Sequence, residues 1–233
     1  MMKSQNRTSY GCGLLAILLA CPMLSMAQSS QLPWDRMQQQ LKKNDGLIAY
    51  EIASNFELLG DSAPEIGQYS TRVRQLDQNG IPLRELDSSG KESADAYKMD
   101  TLSLSLAAYA ANRPEGFVSS PSSIVLLGDE NVNGKPALVY EVKGRIGKGN
   151  IPVLAKIWIE QTTDAPVKIE GTIEKLPLPG VKNATFLLQY ATSESGLVLP
   201  SEFQLRYSIS MLFKTGQVAF RQTLSDWKPL PAK

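Results

Sequence analysis

The stretch Lys156–Lys175, KIWIEQTTDAPVKIEGTIEK, decides the fold. Ile157 and Ile159 alternate with Lys156, Trp158 and Glu160. Val167, Ile169 and Ile173 alternate with Lys168, Glu170, Thr172 and Glu174 after a break at Thr162–Pro166. A period of two reads as a half-buried strand, so the stretch predicts an antiparallel hairpin with one apolar face. Trp158 stands on the charged side and is the exception. It is a candidate surface contact, unless a terminal segment covers it.

The same period extends in both directions. Ile48, Tyr50, Ile52, Phe56 and Leu58 alternate, then, less strongly, Tyr69, Thr71 and Val73; Ser122–Leu127 and Ala137–Lys143 also read as strands. Asn79-Gly80 and Asn133-Gly134 are tight-turn signals. Beyond the hairpin, Ala184, Phe186, Leu188 and Tyr190 alternate. After Pro200, so do Phe203, Leu205, Tyr207, Ile209, Met211 and Phe213. A strand over Glu202–Lys214 spans about 40 Å at ~3.3 Å per residue, roughly twice the usual length. Long strands twist and curl. Thr215-Gly216 then reads as a turn into Val218–Leu224.

Two segments carry a helical period. Over Leu32–Lys43, Trp34, Met37 and Leu41 share one face, and Asn44-Asp45-Gly46 ends the run. Over Asp95–Asn112 the alanines at 107, 108, 110 and 111 favour a helix that Pro114 stops. These are the lids available to the apolar strand faces. The expected fold class is α+β: a curved, mostly antiparallel sheet, an unclosed half-barrel, with helices capping its concave face.

The first 27 residues read as an export leader. Lys3 and Arg7 precede an apolar run over Gly13–Cys21, and Ser25-Met26-Ala27 offers small residues for cleavage before Gln28. The expected layout is therefore a signal peptide over 1–27 and a single domain over 28–233, in the periplasm. Leu18-Leu19-Ala20-Cys21 is a second, lipobox-like cleavage pattern that would anchor the chain through Cys21.

The 233-residue chain has 24 basic and 23 acidic residues, two cysteines and no histidine. Without the leader, 22 basic residues face 23 acidic ones, and neither Cys12 nor Cys21 remains. A near-neutral chain does not draw nucleic acid. Without cysteine or histidine, Ser-His-Asp and Cys-His catalysis and thiolate metal sites are excluded. No cofactor and no metal site is expected.

Weaker patterns have plainer readings. Ser88-Ser89-Gly90-Lys91 and Lys214-Thr215-Gly216 echo penicillin-recognising enzymes, but they fall in a loop and a hairpin turn. Glu160, Glu170 and Glu174 could pair as glycosidase carboxylates, yet Lys156, Lys168 and Lys175 beside them make cross-strand ion pairs simpler. Gly144–Asn150 is glycine-rich and basic, but a strand follows it where a phosphate cradle needs a helix. Asn183-Ala184-Thr185 is a sequon.

The segments VNGKPALVYEVKG (132–144), AKIWIEQTTDAPVKIEG (155–171) and GLVLPSEFQLRYSI (196–209) together resemble the periplasmic lipoprotein-carrier superfamily. The likeness covers about a third of the chain. It implies an unclosed antiparallel barrel with helical lids around an apolar cavity. It is shared by carriers and envelope-stress sensors, and no ligand-binding arginine is carried over from it.

Two functions follow as expectations. One is a non-catalytic periplasmic protein binding a lipid, acyl chain or lipoprotein. Its cavity candidates are Phe203, Leu205, Tyr207, Ile209, Met211, Phe213, Ile157 and Ile159. The other is an envelope interaction or assembly module, partnered by another envelope protein, whose interior is plain core.

Overall fold

The computed structural model describes residues 22–60, 64–87, 101–148, 150–174, 180–211 and 214–230. Among them, one antiparallel sheet of ten strands carries two helices. Helix α1 spans Pro22–Lys42. Strands β1 (Leu47–Gly60), β2 (Glu65–Leu76) and β3 (Pro82–Leu86) lead to helix α2 (Thr101–Asn112). Then follow β4 (Ser119–Val132), β5 (Lys135–Ile146), β6 (Ile151–Glu160), β7 (Pro166–Ile173), β8 (Val181–Thr192), β9 (Val198–Met211) and β10 (Lys214–Pro229).

The order across the sheet is β3-β2-β1-β10-β9-β8-β7-β6-β5-β4. The two edges, β3 and β4, do not meet, so the curved sheet is an unclosed half-barrel, as its patterning predicts. The chain runs as a meander from β4 to β10. β10 then closes onto β1 along thirteen paired positions, from Leu47↔Pro229 to Gly60↔Gly216.

The period of two becomes an inner and an outer face. Ile157 pairs with Ile169, Ile169 with Leu188, and Leu188 with Phe203, all buried on the inner face. Each such side chain gains roughly 1.5–3 kcal/mol by leaving water. The helices cover this wall. Leu106, Tyr109 and Ala110 of α2 join the same core, and Phe117, just after it, lies 5.5 Å from Phe186 and 5.8 Å from Phe203. Ser103 of α2 shares a buried 2.9 Å hydrogen bond with Gln222 of β10. At the C-terminal end of α2, Arg84 of β3 donates to Asn112 Oδ1 at 2.9 Å and to the carbonyls of Ala49 and Tyr50. Burial pulls the Arg84 guanidinium down to about 10.

Gly171 lies opposite Phe186, and a Cβ there would come 2.5 Å from the Phe186 ring. The glycine makes room for the ring on the inner wall.

Several boundaries differ from expectation. α1 begins at Pro22, ten residues before the predicted Leu32, and contains Pro33. Its apolar stripe starts only at Trp34, so the period could not mark the earlier turns. Lys214-Thr215-Gly216 is strand, not turn: Thr215 pairs with Ser210 and Gly216 with Ile209. Gly144 belongs to β5, and beyond that strand the Asn150 N–H donates to the Gly147 carbonyl at 3.2 Å. The Ser88–Lys91 motif, residues 95–100 of the second predicted helix, Lys175 and Phe213 lie outside the described residues.

Candidate functional site

The inner wall between α1 and strands β5–β8 is the most distinctive region. α1 meets the wall through Trp34, Met37 and Leu41, the three residues predicted to share its face. The Trp34 ring lies 5.8 Å from that of Tyr140. Beneath them is a cavity of about 10 Å³, lined by Trp34, Met37, Phe117, Ile157, Ile169 and Tyr190 among others. That volume holds at most about one water. The Tyr190 hydroxyl is buried here with no hydrogen-bond partner, and burial raises its pKa.

Polar contacts fasten the same helix at the rim. Arg36 forms a two-point ion pair with Asp164 in the β6–β7 turn, Nε to Oδ2 at 2.6 Å and Nη2 to Oδ1 at 3.1 Å. Gln40 donates to the Thr163 carbonyl one helical turn later. Asn44 Nδ2 donates to the Val198 carbonyl at 2.7 Å. Asp164 adopts φ +54°, a conformation that Asp tolerates better than most residues, and so turns its carboxylate towards α1.

Of the cavity candidates, Phe203, Leu205, Ile157 and Ile159 are buried in the core. Tyr207 and Ile209 are partly buried against it. Met211 ends β9. Only Ile157 of this set borders the small cavity. Sequence reasoning missed Tyr190, Asp164 and Arg36. The available signal was Arg36 and Gln40, four residues apart on a helix and therefore stacked on one side.

Trp158 is 4% exposed. Among the described residues, its cover comes from the end of β4 and not from a terminal segment. It packs on the outer face with Ala137, Val139, Val132 and Val167. Its indole N–H donates to Glu130 Oε2 at 2.8 Å, and Lys168 Nζ stands 4.1 Å from the ring centroid. The end of β4 thus folds over a residue that the period of two leaves on the wet side.

Glu160 and Glu170 of the hairpin are engaged as ion pairs. Glu160 accepts from Lys135 at 3.0 Å and from Thr162 at 2.9 Å; the lysine bond is the main reason its pKa falls below the ordinary value, against the opposing effect of burial. Glu170 accepts from Lys168 and lies opposite Lys156. An open outer groove of about 530 Å³ runs past Glu141, Lys156, Glu170, Gln204 and Arg206. Its charges are mixed. Among the described residues, no cluster of His, Cys, Asp or Glu could hold a metal ion, and no helix is long and apolar enough to cross a membrane.

No family model matches the chain, and no curated protein matches it. Solved structures similar in fold include a DUF1329 family protein from Desulfovibrio piger, 10% identical, covering 85% of this chain and 92% of that one, TM-score 0.41. An outer membrane lipoprotein-sorting protein domain from Vibrio parahaemolyticus is 13% identical over 85% and 92%, TM-score 0.42. LprF from Mycobacterium bovis is 12% identical over 86% and 96%, TM-score 0.28.

Proposed function

We propose that this is an exported, non-catalytic envelope protein that takes an apolar chain, such as a lipid acyl group, between α1 and the inner wall of its half-barrel. One observation carries the reading. α1 is held over a mostly apolar wall by three side chains and a polar rim, above the unbonded Tyr190 hydroxyl. A helix so attached is a lid. Burial of Trp34, Met37 and Leu41 contributes at most about 5–9 kcal/mol. An acyl chain of about sixteen carbons, at ~0.8 kcal/mol per buried CH₂, gains about 12 kcal/mol on the same wall. That figure is the upper bound for a fully buried chain, before the cost of association; it is of the same order as the lid's own burial, so the two compete for the wall, and Tyr190 offers a hydroxyl to the chain's polar end.

Export rests on the leader pattern over residues 1–27, and the proposed compartment is the periplasm. The proposed working domain is 28–233.

A second reading, an assembly module with a solid core, is supported by how completely the interior is filled in the closed form. Native mass spectrometry of the purified protein with a long-chain fatty acid separates the two. One bound chain per protein, weakened when Tyr190→Phe removes the hydroxyl, supports the lid. No adduct at any fatty acid concentration would leave the solid-core module.

A further inference from the structure

Among the described residues β4 is an edge strand, hydrogen-bonded on one side to β5. Four consecutive residues in it are exposed apolar side chains: Ile124 (38%), Val125 (47%), Leu126 (38%) and Leu127 (50%). The other edge is blunted in the usual way. β3 has five residues, carries Pro82, Arg84 and Glu85, and pairs with β2 through a register shift at Val73/Gln75. β4 has fourteen residues, with neither charge nor proline between Ser122 and Gly128. A long apolar edge left in water is a docking site or an aggregation hazard.

We propose that β4 pairs antiparallel with β4 of a second copy of this chain, across a two-fold axis at Val125. The register with β5 puts Ile124 and Leu126 on the inner side, opposite Val142 and Tyr140, and Val125 on the outer side, opposite Glu141. Continuing the sheet through the axis keeps each face matched. Val125 meets its own counterpart, and Ile124 meets the second copy's Leu126. These are β-branched and aliphatic cross-strand pairs of the kind that stabilise sheets. Pro121, which lacks an N–H, the register shift between Ser119 and Ser123, and the bulge at Leu127, between Leu126 and Gly128, confine the regular pairing to Ser123–Leu126 around the axis.

Charge selects this occupant and this direction. One end of the strand is acidic, at Asp129 and Glu130. Behind the other end stand Lys143 and Arg145 of β5, opposite Ser123 and Ser119. Antiparallel pairing brings the acidic end of each copy beside the basic end of the other. Parallel pairing would set like against like. The contact is self-complementary, as a two-fold interface must be, and it stands whether or not the interior takes a ligand.

The test uses the full chain with Cys12→Ser and Cys21→Ser, so that an added cysteine is unique. Val125→Cys, at the axis, should oxidise to a disulfide-linked dimer about tenfold faster than Asp129→Cys, which faces the second copy's Pro121 and has no cysteine in reach. Light scattering of the parent protein across a concentration series should show a dimer, lost in Leu126→Lys. A parent that stays monomeric throughout, equal cross-linking rates, or a dimer that survives Leu126→Lys would overturn the proposal.

Discussion

Arg36 on α1 grips Asp164 in the β6–β7 turn with two hydrogen bonds, and so joins the lid to the rim of the sheet. Arg36 is exposed, and solvent-facing ion pairs contribute little to global stability. The pair sets where the helix rests. Arg36→Ala should leave the melting temperature almost unchanged while speeding amide hydrogen exchange in α1. High salt should do the same to the parent protein. Measurement by hydrogen–deuterium exchange with peptide resolution decides it: unchanged exchange in α1 would mean that Trp34, Met37 and Leu41 alone hold the helix.

Beneath that helix, the Tyr190 hydroxyl has no partner. A buried, unsatisfied hydroxyl costs about 1–3 kcal/mol, and its removal costs nothing in packing. Tyr190→Phe should therefore raise stability in urea by about 1 kcal/mol while weakening fatty acid binding. A destabilised variant would show that the hydroxyl is bonded in solution.

The Ser103–Gln222 bond ties α2 to β10 inside the core. Ser103→Ala should cost about 1–3 kcal/mol, since it takes a buried donor from the glutamine carbonyl. Chemical denaturation of the two proteins measures it. A loss no larger than that of an exposed serine would mean the bond carries no weight.

Much of this fold was legible because the period of two survives in the strands. Ile157, Ile159, Ile169 and Ile173 of the hairpin and the face from Phe203 to Ile209 fall on the inner side as expected. Val167 does not: the register shift between Trp158 and Ile159 puts it on the outer face beside Trp158. The limits of legibility are equally physical. Trp158 was unreadable because its cover, Glu130, lies 28 residues away and reaches it only through the β4–β5–β6 register. The run Ile124–Leu127 signals a strand, but nothing local marks it as an edge. The site is the least legible part: the latch joins residues 128 positions apart, and Tyr190 differs from a core tyrosine only in lacking a partner.

The Trp158 cover makes its own prediction. Glu130→Ala removes the acceptor of a partly buried indole N–H and should cost about 1–3 kcal/mol. The emission of Trp158 should shift to longer wavelength as β4 loosens. An unchanged spectrum would mean that Val132 and Val167 suffice to cover the ring.

Acid sensitivity should trace in part to Glu160. Its pKa is lowered in the fold, chiefly by the Lys135 hydrogen bond, so the unfolded chain binds more protons below the ordinary value of 4.5. The stabilisation is present above that value and is lost as pH falls through the lower folded pKa. Glu160→Gln should therefore melt lower than the parent at neutral pH, and the gap should narrow as pH falls below about 4.5. A constant gap across that window would remove Glu160 from the account.

The central claim is that an apolar chain enters between α1 and the inner wall. A fatty acid carrying a photoreactive diazirine along its chain tests it most directly, with labelled residues mapped by mass spectrometry. Labels are expected on Tyr140, Ile157, Ile169 or Tyr190, and on Trp34 or Met37 of the lid. Labels confined to the exposed edge of β4, or to the outer groove beside Lys156 and Arg206, would contradict it.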